Sequence, residues 1–250
     1  MRILFTICGR AGSKGIKNKN LRMFCGKYLV HYTVSAIDLY LRKNPDIDAD
    51  IVVNSDSNEL LEIAANSGMR KIDKIMRAEY LAGDTIGKIT VINDCLQQMK
   101  QRKSCDYDMV IDLDITSPLR TVEDLEKVIT LQRTKNADVV TTVAAARRNP
   151  YFNQVKRTEH GAKKVIDSSF TARQQAPEIF DMNASIYAYN PDFLQSGKGV
   201  LDGYCEIIEM YDTGILDLDH ENDFELMEVI AKYLFKEKDG FREIFENIVI

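Results

Sequence analysis

Apolar residues along this chain fall in short unbroken runs that alternate with stretches of helical spacing. "RILFTIC" (2–8) is continuous and stops at Gly9, the pattern of a parallel strand buried on both faces. "YLVHYTVSAIDLYLR" (28–42) has the spacing of a helix and ends before "KNP". "ADIVVNSD" (49–56) predicts a second strand, after which Ser57 caps a helix over "NELLEIAANSG" that stops at Gly68. Asp84 or Thr85 is expected to open a longer helix reaching about Arg102, and "YDMVIDLD" (107–114) predicts a third strand. Thr121 and Asp124 form a capping-box pair for the helix "TVEDLEKVITLQRT", and "ADVVTTVAAA" (137–146) is another strand. Such an order predicts an α/β fold, a parallel sheet with helices on both faces and ligands at the C-terminal strand ends.

The pattern changes after Ala146. "RRNPYFNQVKRTEHGAKKVID" alternates and turns at His160-Gly161 like a hairpin, and "FDMNASIYAYNP" (180–191) reads as a strand ending at Pro191. Residues from about 147 to 205 are therefore expected to form an inserted arm or cap on a single domain spanning 1–250. "YCEIIEMY", a loop and the helix "ENDFELMEVIAKYLF" then return to the main pattern.

Composition narrows the class. With 250 residues, 45% of them hydrophobic and 28% charged, the chain has material for one sizeable core. A net charge of −5 argues against a general nucleic-acid binder, whose footprint is basic. The five cysteines form no C-x-x-C pair and no zinc spacing with the three histidines, so inert thiols in a reducing compartment are expected. "ILFTIC" is too short for a signal peptide's apolar region and no stretch approaches a membrane span, so a cytoplasmic location is expected.

Against this acidic background "CGRAGSKGIKNKN" (8–20) stands out as a cationic, glycine-rich outlet of the first strand. Its order Ser13-Lys14-Gly15 is not that of a P-loop, and Ala11 stands where a dinucleotide fingerprint needs its second glycine. What remains is a loop whose amides can face an anion while Arg10, Lys14 and Lys19 neutralise it. A solvated basic turn is the bland alternative; the position after the first strand of an α/β sheet favours the anion site.

"GRAGSKGIKNKNL" with "GK" at 26–27 resembles the signature of the cytidylyltransferases that activate eight- and nine-carbon keto-deoxy sugar acids, closest to the acylneuraminate branch. "IVVNSDSNEL", "RAEYLAGDT", "DLDITSPLR", "ARQQAPEIFDMNASIYAY" and "LDLDHENDFELME" resemble further blocks of that family, in order along nearly the whole chain. The resemblance implies a three-layer, Rossmann-like fold of the nucleotide-diphospho-sugar-transferase type, with a mostly parallel sheet and a small dimerisation arm. It implies transfer of CMP from CTP to the anomeric hydroxyl of a nonulosonic acid, with pyrophosphate leaving. Every reactant is anionic, so such a site needs cations more than a nucleophile. The resemblance puts Arg10, Gly12, Ser13, Lys14, Lys19, Asn20, Arg77 and Asp84 around the nucleotide, with Arg10 and Lys14 also catalytic. It assigns Asp217 and Asp219 to Mg²⁺ and catalysis. Standing two apart, both point to one face of an extended stretch, and hard Mg²⁺ prefers such oxygen ligands.

Sugar-side residues follow from the same comparison: Asp114, Thr116, Arg173, Gln174, Asn183, Arg147 and Tyr151. Arg173 is expected to clamp the sugar carboxylate, and the arm to reach a partner subunit's site in a homodimer. Two positions depart from the sialic-acid pattern. Asp114 replaces the Gln of L-Q-P-T-S-P, and Ala184 replaces the Gly of N-G-A-I-Y. A carboxylate at 114 can only accept hydrogen bonds, so it is expected to receive them from the substrate. With "AARRNPYFN" (145–153), these departures resemble the branch making CMP-legionaminic acids of the N,N'-diacetyl type; CMP-N-acetylneuraminate synthesis is the alternative. A hexose-1-phosphate nucleotidylyltransferase would carry G-x-G-T-R-x-x-P, absent here. A haloacid-type phosphatase would leave the glycine loop unexplained, and a non-catalytic nucleotide module would not need Asp217 and Asp219.

Overall fold

The computed structural model describes residues 1–10, 12, 15–83, 86–213 and 217–249. β1 (Arg2–Cys8) leads through the glycine loop to the small ribbon β2 (Met23–Phe24) and β3 (Lys27–Tyr28), then α1 (Leu29–Lys43). β4 (Asp48–Ser55), α2 (Asn58–Ala65), β5 (Asp73–Met76), α3 (Lys88–Lys103), β6 (Met109–Leu113), α4 (Val122–Lys135) and β7 (Val139–Ala145) follow. The hairpin β8 (Val155–Thr158) and β9 (Gly161–Lys164) precedes β10 (Phe180–Tyr189), α5 (Pro191–Gln195) and β11 (Cys205–Glu209). α6 (Glu221–Glu237) and α7 (Asp239–Asn247) close the described chain.

Seven strands form one sheet in the order β11-β7-β10-β6-β1-β4-β5. All its pairs are parallel except those of β10, which runs antiparallel between β6 and β7. This α/β architecture follows from the residue alternation within strands. Ile3, Phe5 and Ile7 of β1 enter a core shared with α1, α2, α4, α6 and α7, while Leu4 faces α3 and α5 with Val52, Ile75 and Val110. Burying such side chains from both faces contributes about 1.5–3 kcal/mol each, which fixes three layers. The caps act as expected: Ser57 Oγ accepts from the Leu60 amide, and Thr121 and Asp124 form a reciprocal capping box.

Two expectations need correction. Residues 180–189 do not belong to an arm; β10 fills the sheet between β6 and β7. Within 147–205, only the hairpin β8–β9 forms a sheet of its own. Secondly, α3 begins at Lys88, with Gly87 as its N-cap and no side-chain cap, rather than at position 84 or 85. Among the described residues all five cysteines are free, and no helix is long and apolar enough to cross a membrane.

Candidate active site

The outlets of β1, β5 and β6 and the strap before α6 enclose a cleft of about 450 Å³. Its lining includes Arg10, Lys19, Asn20, Arg77, Asp114, Thr116, Asp217 and Asp219, all singled out on sequence, and Lys88, which was not.

The glycine loop is anchored at both ends. Gly9 donates its N–H to the Asn54 carbonyl (3.1 Å), and a Cβ there would lie 2.7 Å from Ile115 and 2.8 Å from Leu60. Asn20 Nδ2 donates to the Arg10 carbonyl (2.9 Å), closing the loop on itself. Its buried Oδ1 has no protein partner among the described residues, which leaves an acceptor for a ligand. At Gly15 a Cβ would stand 1.9 Å from the backbone oxygen of Asp219, so this close approach requires glycine. Gly12 is different: a Cβ there would meet open space. Ser13, Lys14 and Asp84 lie outside the described residues.

Arg77, delivered by the outlet of β5, is held rigidly. Its Nε donates to Asn54 Oδ1 (2.7 Å) and its guanidinium reaches the Asn54 carbonyl (3.3 Å). Lys19 lies between the two strap carboxylates, with Nζ 3.9 Å from Asp217 Oδ1 and 3.5 Å from Asp219 Oδ1. Burial, and then the neighbouring Asp114 carboxylate, push the Asp217 carboxyl above its ordinary pKa. The two carboxylates thus converge on a single cationic point. Mg²⁺ commonly takes one or two carboxylates and completes its shell with phosphate and water, so this donor pair fits it. Among the described residues no group of three or more such ligands exists. The Asp219 and His220 amides donate to Asp223 Oδ2 (3.2 and 2.8 Å), which fixes the strap to the start of α6.

At the outlet of β6 the charges are dense. Lys88 Nζ lies 2.7 Å from Asp112 Oδ2 and 2.6 Å from Asp114 Oδ2. Thr6 Oγ1 donates to Asp112 Oδ1 (2.8 Å), and the amide and hydroxyl of Thr116 both donate to Asp114 Oδ1 (2.9 Å). Arg120, wholly buried, donates to the carbonyls of Asp114 and Ser117; burial lowers its pKa to about 10. Burial would raise the Asp114 carboxyl, but Lys88 and the Thr116 hydrogen bonds pull it down to about 2. For Lys88 burial opposes the charge, and the flanking carboxylates outweigh it and hold the ammonium well above its usual range. Asp114 is therefore no bare acceptor awaiting a substrate: three of its roughly four acceptor positions are occupied from within the protein.

The remaining sugar-side residues are not brought to this cleft. Arg173 and Gln174 are exposed on a 3-10 turn, where the Arg173 guanidinium donates to the Ala146 carbonyl (3.2 Å). Arg147 pairs with Asp212 (2.9 Å), and Tyr151 packs edge-on against Phe170. Asn183 is buried beside β7; its Oδ1 accepts from Thr142 Oγ1 (2.7 Å) and its Nδ2 faces Met210 Sδ (3.4 Å). What sequence reasoning missed was Lys88 and its counterion Asp112. A lysine opening a helix, three residues beyond a quoted motif, carries no signal of its own. The signal was Asp114, whose buried charge demanded a cation.

Residues 4–232 match the family described as cytidylyltransferase. The chain is 37% identical over 238 residues to a Campylobacter coli protein named post-translational flagellin modification protein B, covering 95% of this chain and 96% of that one. It is 34% identical over 228 residues to a Campylobacter jejuni CMP-N,N'-diacetyllegionaminic acid synthase, covering 91% and 94%. Among solved structures, a CMP-2-keto-3-deoxy-manno-octonic acid synthetase complexed with CTP superposes with a TM-score of 0.66 at 16% identity, over 93% of this chain and 99% of that one. This last likeness shows the shared fold.

Proposed function

This chain belongs to the cytidylyltransferase family, a CTP-using nucleotidyltransferase, and from that premise we propose that it makes a CMP-nonulosonic acid, CMP-N,N'-diacetyllegionaminic acid in particular. The observation that supports the reading is the cleft itself: Arg10, Lys19 and Arg77 line it together with the paired carboxylates Asp217 and Asp219. In the reaction the sugar's anomeric oxygen attacks the α-phosphorus of CTP. An O–P bond forms, the bond to the β-phosphate oxygen breaks, and pyrophosphate leaves while the hydroxyl loses its proton. Catalysis then consists of holding polyanions in line and stabilising charge that builds on the leaving group.

Arg10 and Lys19, with Lys14 and Ser13 of the same loop, bind and orient the triphosphate. Asn20 and Arg77 hold the nucleoside side; the buried, unpartnered Asn20 Oδ1 supports that role. Asp217 and Asp219 would hold Mg²⁺. When bound, the metal supplies charge neutralisation on the phosphate oxygens. With those carboxylates engaged by the metal, Lys19, now paired to both, would be available to the phosphates. Arg173, Gln174, Asn183, Arg147 and Tyr151 lie away from this cleft, and we assign them to the sugar side only through an arm meeting a second subunit.

The legionaminic choice rests on the named relative and on the charged pair at position 114. Legionaminic acids carry an acylated amine at C7 and no C9 hydroxyl, unlike sialic acid. Pyrophosphate release from CTP and Mg²⁺ with a panel of nonulosonic acids tests it. We expect kcat/KM to be about 10- to 100-fold higher for the diacetylated legionaminic acid than for N-acetylneuraminic acid. A reversed order ends the legionaminic reading; no release with any of the sugar acids ends the nonulosonic one.

A further inference from the structure

Lys88 lies outside the sequence blocks quoted above, yet it lines the cleft. It stands at the first position of α3, where the helix dipole disfavours a cation. Asp112 and Asp114 offset that cost at 2.7 and 2.6 Å, and Asp112 is buried completely. An ammonium has three N–H groups. One donates to Asp114 Oδ2 and a second is taken up by the ion pair with Asp112 Oδ2, which lies close but outside hydrogen-bond geometry. No third protein acceptor reaches Nζ among the described residues. The side chain remains 33% exposed, and the cleft is what it lines.

We propose that the third N–H of Lys88 donates to an N-acyl carbonyl oxygen of the bound sugar acid, and that Asp112 and Asp114 are positioning residues that aim it. The proposal rests on the sugar-acid reading above. Charge selects the acceptor. Two carboxylates more than cancel one ammonium, so this group is ill-suited to a further anion, and the phosphates have Arg10 and Lys19 instead. A neutral carbonyl asks only for an oriented donor without surplus charge. The exchange of the family's neutral Gln for Asp114 is then one half of a pair, since a buried carboxylate requires Lys88 and Lys88 provides the donor that Gln would have supplied.

The test compares wild type with the double variant Lys88→Gln/Asp114→Gln, which removes one charge of each sign. Substrates are the diacetylated sugar acid and two analogues, each with one acyl amide replaced by a free amine, at saturating CTP and Mg²⁺. Wild type is expected to favour the acylated sugar by about tenfold or more at one of the two positions. In the double variant that preference falls to within about threefold, through KM for the sugar acid, while KM for CTP changes less than about twofold. Lys88→Arg keeps both ion pairs but moves the donors, so it is expected to lose several-fold of the preference at unchanged melting temperature. An unchanged acyl preference in either folded variant, or a rise confined to KM for CTP, overturns the proposal. Wild type releasing no pyrophosphate with any sugar acid instead removes the substrate reading on which it stands.

Discussion

Lys19 stands between two carboxylates that, on the proposed function, compete with a polyphosphate for its charge, and this makes Asp219 the more telling of the pair to change. Its side chain is exposed to 66%, and its amide is tied to Asp223, so replacing one oxygen by nitrogen disturbs little structure. We expect Asp219→Asn to bind CTP within a few-fold of wild type and to lose about 100-fold or more in turnover, because the lost charge matters most as pyrophosphate departs. Near-normal turnover at saturating Mg²⁺ would remove Asp219 from the metal site. Asp217 has a different signature. Burial, then Asp114, raise its pKa, so the folded protein takes up its proton more readily than the unfolded chain does. Its contribution to stability is greatest in acid and is lost as pH rises through that raised pKa. At neutral pH the ionised group works against the fold. Asp217→Asn should therefore raise the metal-free melting temperature at pH 7, on the order of 1 °C for a partly exposed group, with the gain vanishing in acid. A lower melting temperature at pH 7 would contradict this. That Arg10, Lys19, Asn20, Arg77, Asp217 and Asp219 meet in one cleft was legible in the sequence because each sits in a block that the family resemblance picks out. Lys88 was not, because its meaning lies in two carboxylates that only the fold brings to it.

The elements show a similar division. Apolar runs and caps located β1, β4, β6, α1, α2 and α4, but not β5, whose four residues carry too short a pattern to stand out. β10 was expected as a strand but assigned to the arm, because nothing local says that it runs antiparallel between β6 and β7. Its register shifts between Met182 and Tyr187, and within that irregularity Ala184 has φ of 51°, a left-handed conformation. The Gly of the family's N-G-A-I-Y thus has a backbone reason, and this chain tolerates a Cβ where the conformation disfavours one. Ala184→Gly is expected to stabilise the protein by about 0.5–1 kcal/mol, strain relief exceeding the added freedom of the unfolded chain. Equilibrium denaturation checks it; a loss of stability would mean that the Ala184 methyl contributes more by packing than the backbone loses.

At the scale of the whole molecule, the arm and the cleft pose one question. Arg173, Gln174, Arg147 and Tyr151, which we assign to the sugar side, sit apart from the candidate cleft within one chain. Our proposal of a homodimer joins them to a cleft across the interface. Sedimentation equilibrium is expected to return about twice the 28.5 kDa chain mass, and a monomer at micromolar concentration with full activity would refute it. Closer to the centre, the contact of Gly15 with the Asp219 backbone joins two segments separated by most of the chain. It has a bearing on the protein's birth. As the polypeptide leaves the ribosome, β1 and its glycine loop emerge well before the strap that forms the opposite wall of the cleft. A nascent chain that has not yet reached residue 219 lacks that wall, so the approach of the Gly15 segment to the Asp219 backbone cannot yet form. The pocket is therefore complete only once the strap has been made.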